Sequence, residues 1–465
     1  MMTVRAFRCV CAGISNTPRR RFAAQPMPML KRAIGPVMIW GLLCVMLSAV
    51  GVLSTRNAVR AGRSSAADIT ADPRVRQALA KLAGEAPSVT EEQIRIAEIP
   101  APTFRESLRG THLAKLLADA GLKVHTDEAG NVIGERAGSA KGEFVLITAH
   151  LDTVFPAGTD VHVRRQGSKL WAPGISDNGA GLATLPVIAR IMRETKLETR
   201  SSVLFVADVG EEGEGNLRGI RKLVEEYRKQ LRYVIALDGA SIDYVTTAAL
   251  ASRRVEITIS GPGGHSWSDF GVPNPIDALA RGIALFLKTP PPDSPRTTFN
   301  VGSIEGGTSV NSIPAKASIK VDLRSEAEPE ILKLETALRR SIQSGMDEEM
   351  QAARDHGMAG GAGLSIGTKV LGLRPGGELP PNSPLLAAVQ AADDYLGNRA
   401  RMERSSTDAN IPLSLGIPAI ALGAGGNSGG AHSLQEWYDP TGREIGMQRL
   451  LLTLLQVAGL NPPTD

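Results

Sequence analysis

The sequence predicts an α/β fold in which a mixed sheet is interrupted by a smaller α+β domain. Three observations lead there. Short apolar runs rich in Val and Ile recur along the chain, each nearly continuous. Segments of helical period alternate with them. Between about Ser252 and Gly372 the runs give way to apolar–polar alternation. Continuous runs suit strands covered on both faces, whereas alternation suits a sheet with one face in water.

The continuous runs lie at residues 144–149, 202–207, 233–237 and 418–422. Residues 103–122 carry Leu108, Leu113, Leu116, Leu117 and Ala120 at helical spacing. In the interrupting stretch Val255, Ile257 and Ile259 alternate with polar residues. Ile319, Val321 and Leu323 do the same against Lys320, Asp322 and Arg324. Helices are expected there over 275–288 and 326–354. After Pro375 the first texture returns, with a helix over 384–396. This plan assigns 73–251 and 374–465 to one discontinuous domain and 252–373 to the insertion. A chain of 465 residues is long enough for two cores.

The N-terminal region reads differently. Residues 1–33 are basic, 34–53 form an uncharged, mostly apolar run, and 54–72 are small and polar, as in a linker. Lys31 and Arg32 precede the run, and Arg56 and Arg60 follow it. About 20 apolar residues can span a bilayer. The same run has the form of a signal-peptide core, with Ala58 and Ala61 as small residues suited to cleavage. Both readings place the body outside the cytoplasm, periplasmic, extracellular or anchored to the membrane. Membrane contact is expected through this segment alone.

The net charge of +4 misleads about the body. Ten basic residues precede the first acid, Asp68, so the remainder carries about −6. A mildly acidic body argues against a nucleic-acid partner. Cys9, Cys11 and Cys44 all lie in the N-terminal region. The body therefore has no thiolate nucleophile, and a metal there must be held by His, Asp and Glu.

Such residues gather at the ends of the continuous runs. The first run is followed by His150 and Asp152, the second by Glu211 and Glu212, and the third by Asp238. Asp177 precedes a helical segment, and His432 follows the fourth run in a glycine-rich stretch. In open α/β sheets, ligands bind beyond the carboxyl ends of the strands. Taken singly each residue has a plainer reading: a structural His, a solvated acidic pair, a turn Asp. Together they suit two divalent cations a few ångströms apart. A shared carboxylate offsets the repulsion between such ions, further N and O ligands complete each, and a spare carboxylate is left to move a proton.

The ordered segments His150-Leu151-Asp152-Thr153, Ser176–Gly181, Glu211-Glu212-Gly213, Leu237-Asp238-Gly239, Gly263-Gly264-His265-Ser266 and Gly430-Ala431-His432-Ser433 carry a family resemblance. They resemble the co-catalytic zinc family of peptidase T, carboxypeptidase G, acetylornithine deacetylase and aminoacylase. The resemblance implies a zinc-exopeptidase catalytic domain with an inserted ferredoxin-like lid and dimerisation domain. It implies two Zn2+ ions, replaceable by Co2+ or Mn2+. His150 and Asp238 would hold one ion, Glu212 and His432 the other, and Asp177 would bridge them. Asp152 would orient His150. Glu211 would act as general base on the water between the ions. His265 would stabilise the oxyanion, often in the site of the partner subunit, which makes a homodimer through the lid part of the expectation. Asn311 and Arg324 resemble residues that hold a substrate carboxylate; the plainer reading of Arg324 is an edge-strand charge facing water.

The implied reaction is hydrolysis of an amide bond in a small peptide or N-acylated amino acid. The wording around His150 and Asp177 is most similar to the peptidase T branch, which implies an aminopeptidase acting on di- or tripeptides. A carboxypeptidase or N-acyl amino acid deacylase is the alternative on the same fold.

Overall fold

The structure, a computed structural model, describes residues 69–357 and 363–463, all within one compact unit. The apolar run at 34–53, its basic flanks and most of the expected linker lie outside these residues. The end of that linker is structured: Ile69 and Thr70 form a helical turn, and Ile69 packs into the core. Among the described residues no helix is long and apolar enough to cross a membrane.

A nine-stranded mixed sheet forms the larger layer. Its centre is parallel, in the order Ser202–Asp208, Phe144–His150, Leu231–Leu237, Ala419–Leu422. These are the four apolar runs, two of them one residue longer at the C-terminal end than predicted. Ser202–Asp208 is buried throughout and Phe144–His150 nearly so, as strands covered on both faces must be. Helices Pro73–Ala97, Gly179–Glu194 and Arg443–Ala458 pack on one another beside this sheet.

Capping explains where several helices start. Asp72 accepts from Arg74 N ahead of Pro73, Asn274 from Ile276 N ahead of Pro275, and Ser383 from Leu385 N ahead of Pro384. Each is a side-chain cap with proline in the first turn. The helix expected over 103–122 is shorter, Ser107–Asp119. Its first expected residues are drawn into the site below.

The insertion runs strand, helix, strand, strand, helix, strand. Its four antiparallel strands lie in the order Thr297–Gly306, Lys316–Ser325, Ala251–Ser260, Ser365–Arg374. This is the ferredoxin-like arrangement. Ala317, Ile319, Val321 and Leu323 face a separate core shared with helices Pro275–Phe286 and Glu328–Asp355. The alternation in the sequence is thus the one-sided burial of this sheet. The chain crosses into it at Leu250 and leaves through Pro375 and Gly376, so Arg374 stands where the insertion rejoins the main sheet.

Candidate metal and catalytic site

His150 is the last residue of its strand and lies opposite Asp208 in register. Its ring Nδ1 donates to the Asp152 carbonyl oxygen at 3.0 Å, and Nε2 faces Asp177 Oδ1 at 3.0 Å. The Asp152 carboxylate is farther off, 3.7 Å from Nδ1. It instead accepts from the backbone N–H groups of Glu211 and Glu212, both at 3.0 Å, and from Thr103 Oγ1 at 2.8 Å. Asp152 therefore holds the ring by its main chain, while its carboxylate clamps the Glu211–Glu212 loop.

Asp177 lies between two imidazoles. Its second oxygen is 3.1 Å from His432 Nε2, which also stands 2.8 Å from Glu212 Oε1. The loop that carries it is fixed from both sides. Glu436 accepts from the N–H groups of Gly174, Ser176 and Asp177. Asn178 caps the Gly179–Glu194 helix and donates to the Leu237 carbonyl. That last bond ties the loop to the strand end from which Asp238 projects. His432 adopts φ 64°, a left-handed conformation that costs an L-residue roughly 1–2 kcal/mol. It persists because the ring has two carboxylate partners.

His150, Asp177 and Glu212 can each place one ligand atom within 4.8 Å of the others. Asp238 borders the same space without a side-chain hydrogen bond to them, and its charge is felt by Asp177, Glu212 and His432. The donor set is nitrogen and carboxylate oxygen with no sulfur, which suits zinc, cobalt or manganese. The electrostatics also fit a dication site. Burial pushes Glu211 up to about 8 and Asp238 up to about 7, each aided by neighbouring acids. Hydrogen bonds donated to Asp177 and Glu212 raise His432 to about 11. Carboxylates crowded in this way lack counter-charge, and bound cations supply it.

Glu211 is not part of the ligand group. Arg374, buried like Glu211, donates to Glu211 Oε1 at 2.9 Å, to the Glu211 carbonyl, and to Ser406 Oγ at 3.0 Å. Arg254 of the inserted sheet donates to the Gly213 carbonyl, and Lys320 pairs with Glu214 at 2.7 Å. The insertion thus grips the loop that carries Glu211 and Glu212. Removing the guanidinium strands a buried carboxylate, which typically costs about 3 kcal/mol. Arg374→Met is expected to lower the urea midpoint of the metal-free protein accordingly, and Arg374→Lys to recover part of it. An unchanged midpoint in the Met variant would show that the pair does not hold the loop.

The structure brings His150, Asp152, Asp177, Glu211, Glu212, Asp238 and His432 together. It leaves three other predicted residues apart. His265 is exposed on a two-residue ribbon opposite Ser312, and its Nδ1 accepts from Trp267 N. Asn311 is beside it and bonds to Ser309. Arg324 pairs with Asp322 at 2.6 Å, with 38% of its side chain exposed. None of the three touches the His–carboxylate group within this chain. Arg374, Glu436, Thr103 and Asn178 are site residues that sequence reasoning did not single out. Only Asn178 had a visible signal, its place inside the Ser176–Gly181 motif.

Fold and site together define a metal-dependent amide hydrolase. The chain belongs to peptidase family M20/M25/M40, which matches residues 146–456. It is 24% identical over 357 residues to YqjE, an uncharacterised protein of Bacillus subtilis strain 168, spanning 72% of this chain and 89% of that one. It is 27% identical over 228 residues to carboxypeptidase G2 of Pseudomonas sp. strain RS-16, spanning 46% of this chain and 54% of the relative. The crystal structure of the aminopeptidase PepT from Bacillus cereus shares the fold at a TM-score of 0.61 and 22% identity, over 80% of this chain and 99% of that one.

Proposed function

We propose that this chain removes amino-terminal residues from di- and tripeptides by zinc-dependent hydrolysis. The observation that carries the hydrolytic part of this reading is Asp177, set between the two imidazoles with Glu212 on one of them and the buried Glu211 alongside, and the amino-terminal preference rests on the resemblance of the His150 and Asp177 motifs to peptidase T. His150 and Asp238 would hold one ion, Glu212 and His432 a second, with Asp177 shared. When bound, the ions supply positive charge that polarises the scissile carbonyl and makes water a better nucleophile at neutral pH.

The chain's own residues then have distinct tasks. Glu211 accepts the proton of the attacking water and returns it to the leaving amine. The Asp152 carboxylate fixes the backbone that carries Glu211, and Arg374 fixes its side chain. The burial of Glu211 and Glu212 keeps bulk water from competing for their oxygens. A second reading, release of an amino acid from an acyl group, is supported by the likeness to carboxypeptidase G2.

The test is chelation and reloading, with products followed by mass spectrometry. Stripped protein is expected to lose turnover of the tripeptide alanyl-glycyl-leucine, and zinc to restore it with alanine and glycyl-leucine as the first products. Release from the carboxyl end would select the second reading. A zinc-loaded protein that turns over no peptide and no N-acyl amino acid would defeat both.

A further inference from the structure

Beside Asp238 the sheet edge encloses a cavity of about 210 Å³. At ~30 Å³ per water this is room for about seven waters, the scale of one aminoacyl group. One side is Asp238 with Gly239, Ala240 and Ser241. The other is built by three strands in register: Thr246 lies opposite Ala421 on one flank and opposite Glu403 on the other. Asp238, a proposed metal ligand, and Glu403 thus line one cavity.

Glu403 is half-buried, and among the described residues its side chain accepts one hydrogen bond, from Thr246 Oγ1 at 3.2 Å. The adjacent arginines are engaged by other groups, Arg401 by a ring that itself borders the cavity. Arg404 reaches Glu378 at 3.5 Å and the Ala249 carbonyl, and Arg401 lies over the Tyr244 ring. Among the described residues no Lys, Arg or His lines the cavity; its polar lining is two carboxylates and several hydroxyls. Cations bound by the ligand group would neutralise Asp238. Glu403 has no cationic side-chain partner among the described residues.

We propose that Glu403 binds a protonated amine of the substrate residue on the acyl side of the scissile bond. This rests on the peptidase reading and deepens it, because it selects a free amino terminus over a free carboxylate in this subsite. A carboxylate entering here meets like charge. An ammonium meets a partly desolvated acceptor flanked by hydroxyls, where a charge-assisted hydrogen bond discriminates by about tenfold or more. The same chemistry is offered by an α-ammonium and by the side chain of an N-terminal lysine, and the probes below separate them.

Equilibrium binding isolates the subsite from catalysis. Zinc-loaded Glu211→Gln protein, with and without Glu403→Gln, is titrated calorimetrically with trialanine, N-acetyltrialanine and N-acetyl-lysyl-dialanine. Trialanine is expected to bind about tenfold or more weaker when Glu403 is replaced, with N-acetyltrialanine changed by less than about twofold. A loss confined to N-acetyl-lysyl-dialanine assigns the subsite to a side-chain ammonium. Equal weakening of all three, no weakening, or no measurable binding of trialanine overturns the proposal. Turnover by the otherwise unaltered protein is measured separately. Absent turnover with an intact binding split defeats the peptidase reading alone, and turnover without the split defeats the subsite alone.

Discussion

Glu211→Gln is expected to retain its zinc and lose about 10²–10⁴-fold in kcat, the range that a positioned acid–base group supplies. Three features make the two effects separable. Glu211 is outside the His150–Asp177–Glu212 ligand group. Its backbone N–H, which anchors the loop to Asp152, is untouched by the change. The glutamine oxygen can still accept from Arg374, so the side chain keeps its place. What disappears is the capacity to take a proton from water and give it back. Metal content by plasma emission spectrometry and kcat on the same preparation decide the matter. A variant within about threefold of the original kcat would remove Glu211 from the chemistry. A variant devoid of metal would instead make it a ligand.

Asp177→Asn is expected to abolish turnover by a different route, through the metal. Asp177 offers one oxygen to each imidazole, at 3.0 and 3.1 Å, and is mostly buried. An amide keeps the shape but carries no charge, and it turns an N–H donor toward one of the two positions. Outer-sphere partners of a ligand cost about 10–100-fold in metal affinity when removed. A shared ligand should exceed that, and zinc stoichiometry should fall to one per chain or lower. The fold should survive, because Glu436 and Asn178 hold this loop through main-chain atoms and a helix cap. Circular dichroism provides the control. Two tightly bound zinc ions in a folded Asp177→Asn protein would refute the shared-ligand role.

The two variants separate what was readable in the chain from what was not. His150, Glu211, Glu212 and Asp238 could be found because polar residues end apolar runs, and a parallel sheet aligns its strand ends at one edge. The inserted sheet could be found because a period of two survives wherever one face is wet. The Arg443–Ala458 helix could not: Leu450, Leu451, Leu452, Leu454 and Leu455 are all buried, so no polar face marks its period. Pro73–Ala97 was equally hard to read, since it mixes polar and small residues and contains Pro87.

Composition and periodicity in the sequence determined the sheet, the insertion and the identity of the groups at the sheet edge. They are local properties, set by residues within a few positions of one another. Tertiary structure alone decided the partners. Arg374 meets Glu211 across 163 residues, and Glu436 meets Ser176 across 260. In the sequence Arg374 is one arginine among many, of a type mostly found on surfaces. Glu403 acquires its cavity only where three strands come into register. A charge is assigned its task by the segment that crosses it, and that crossing is settled by the packing of whole layers, which no short window of sequence contains.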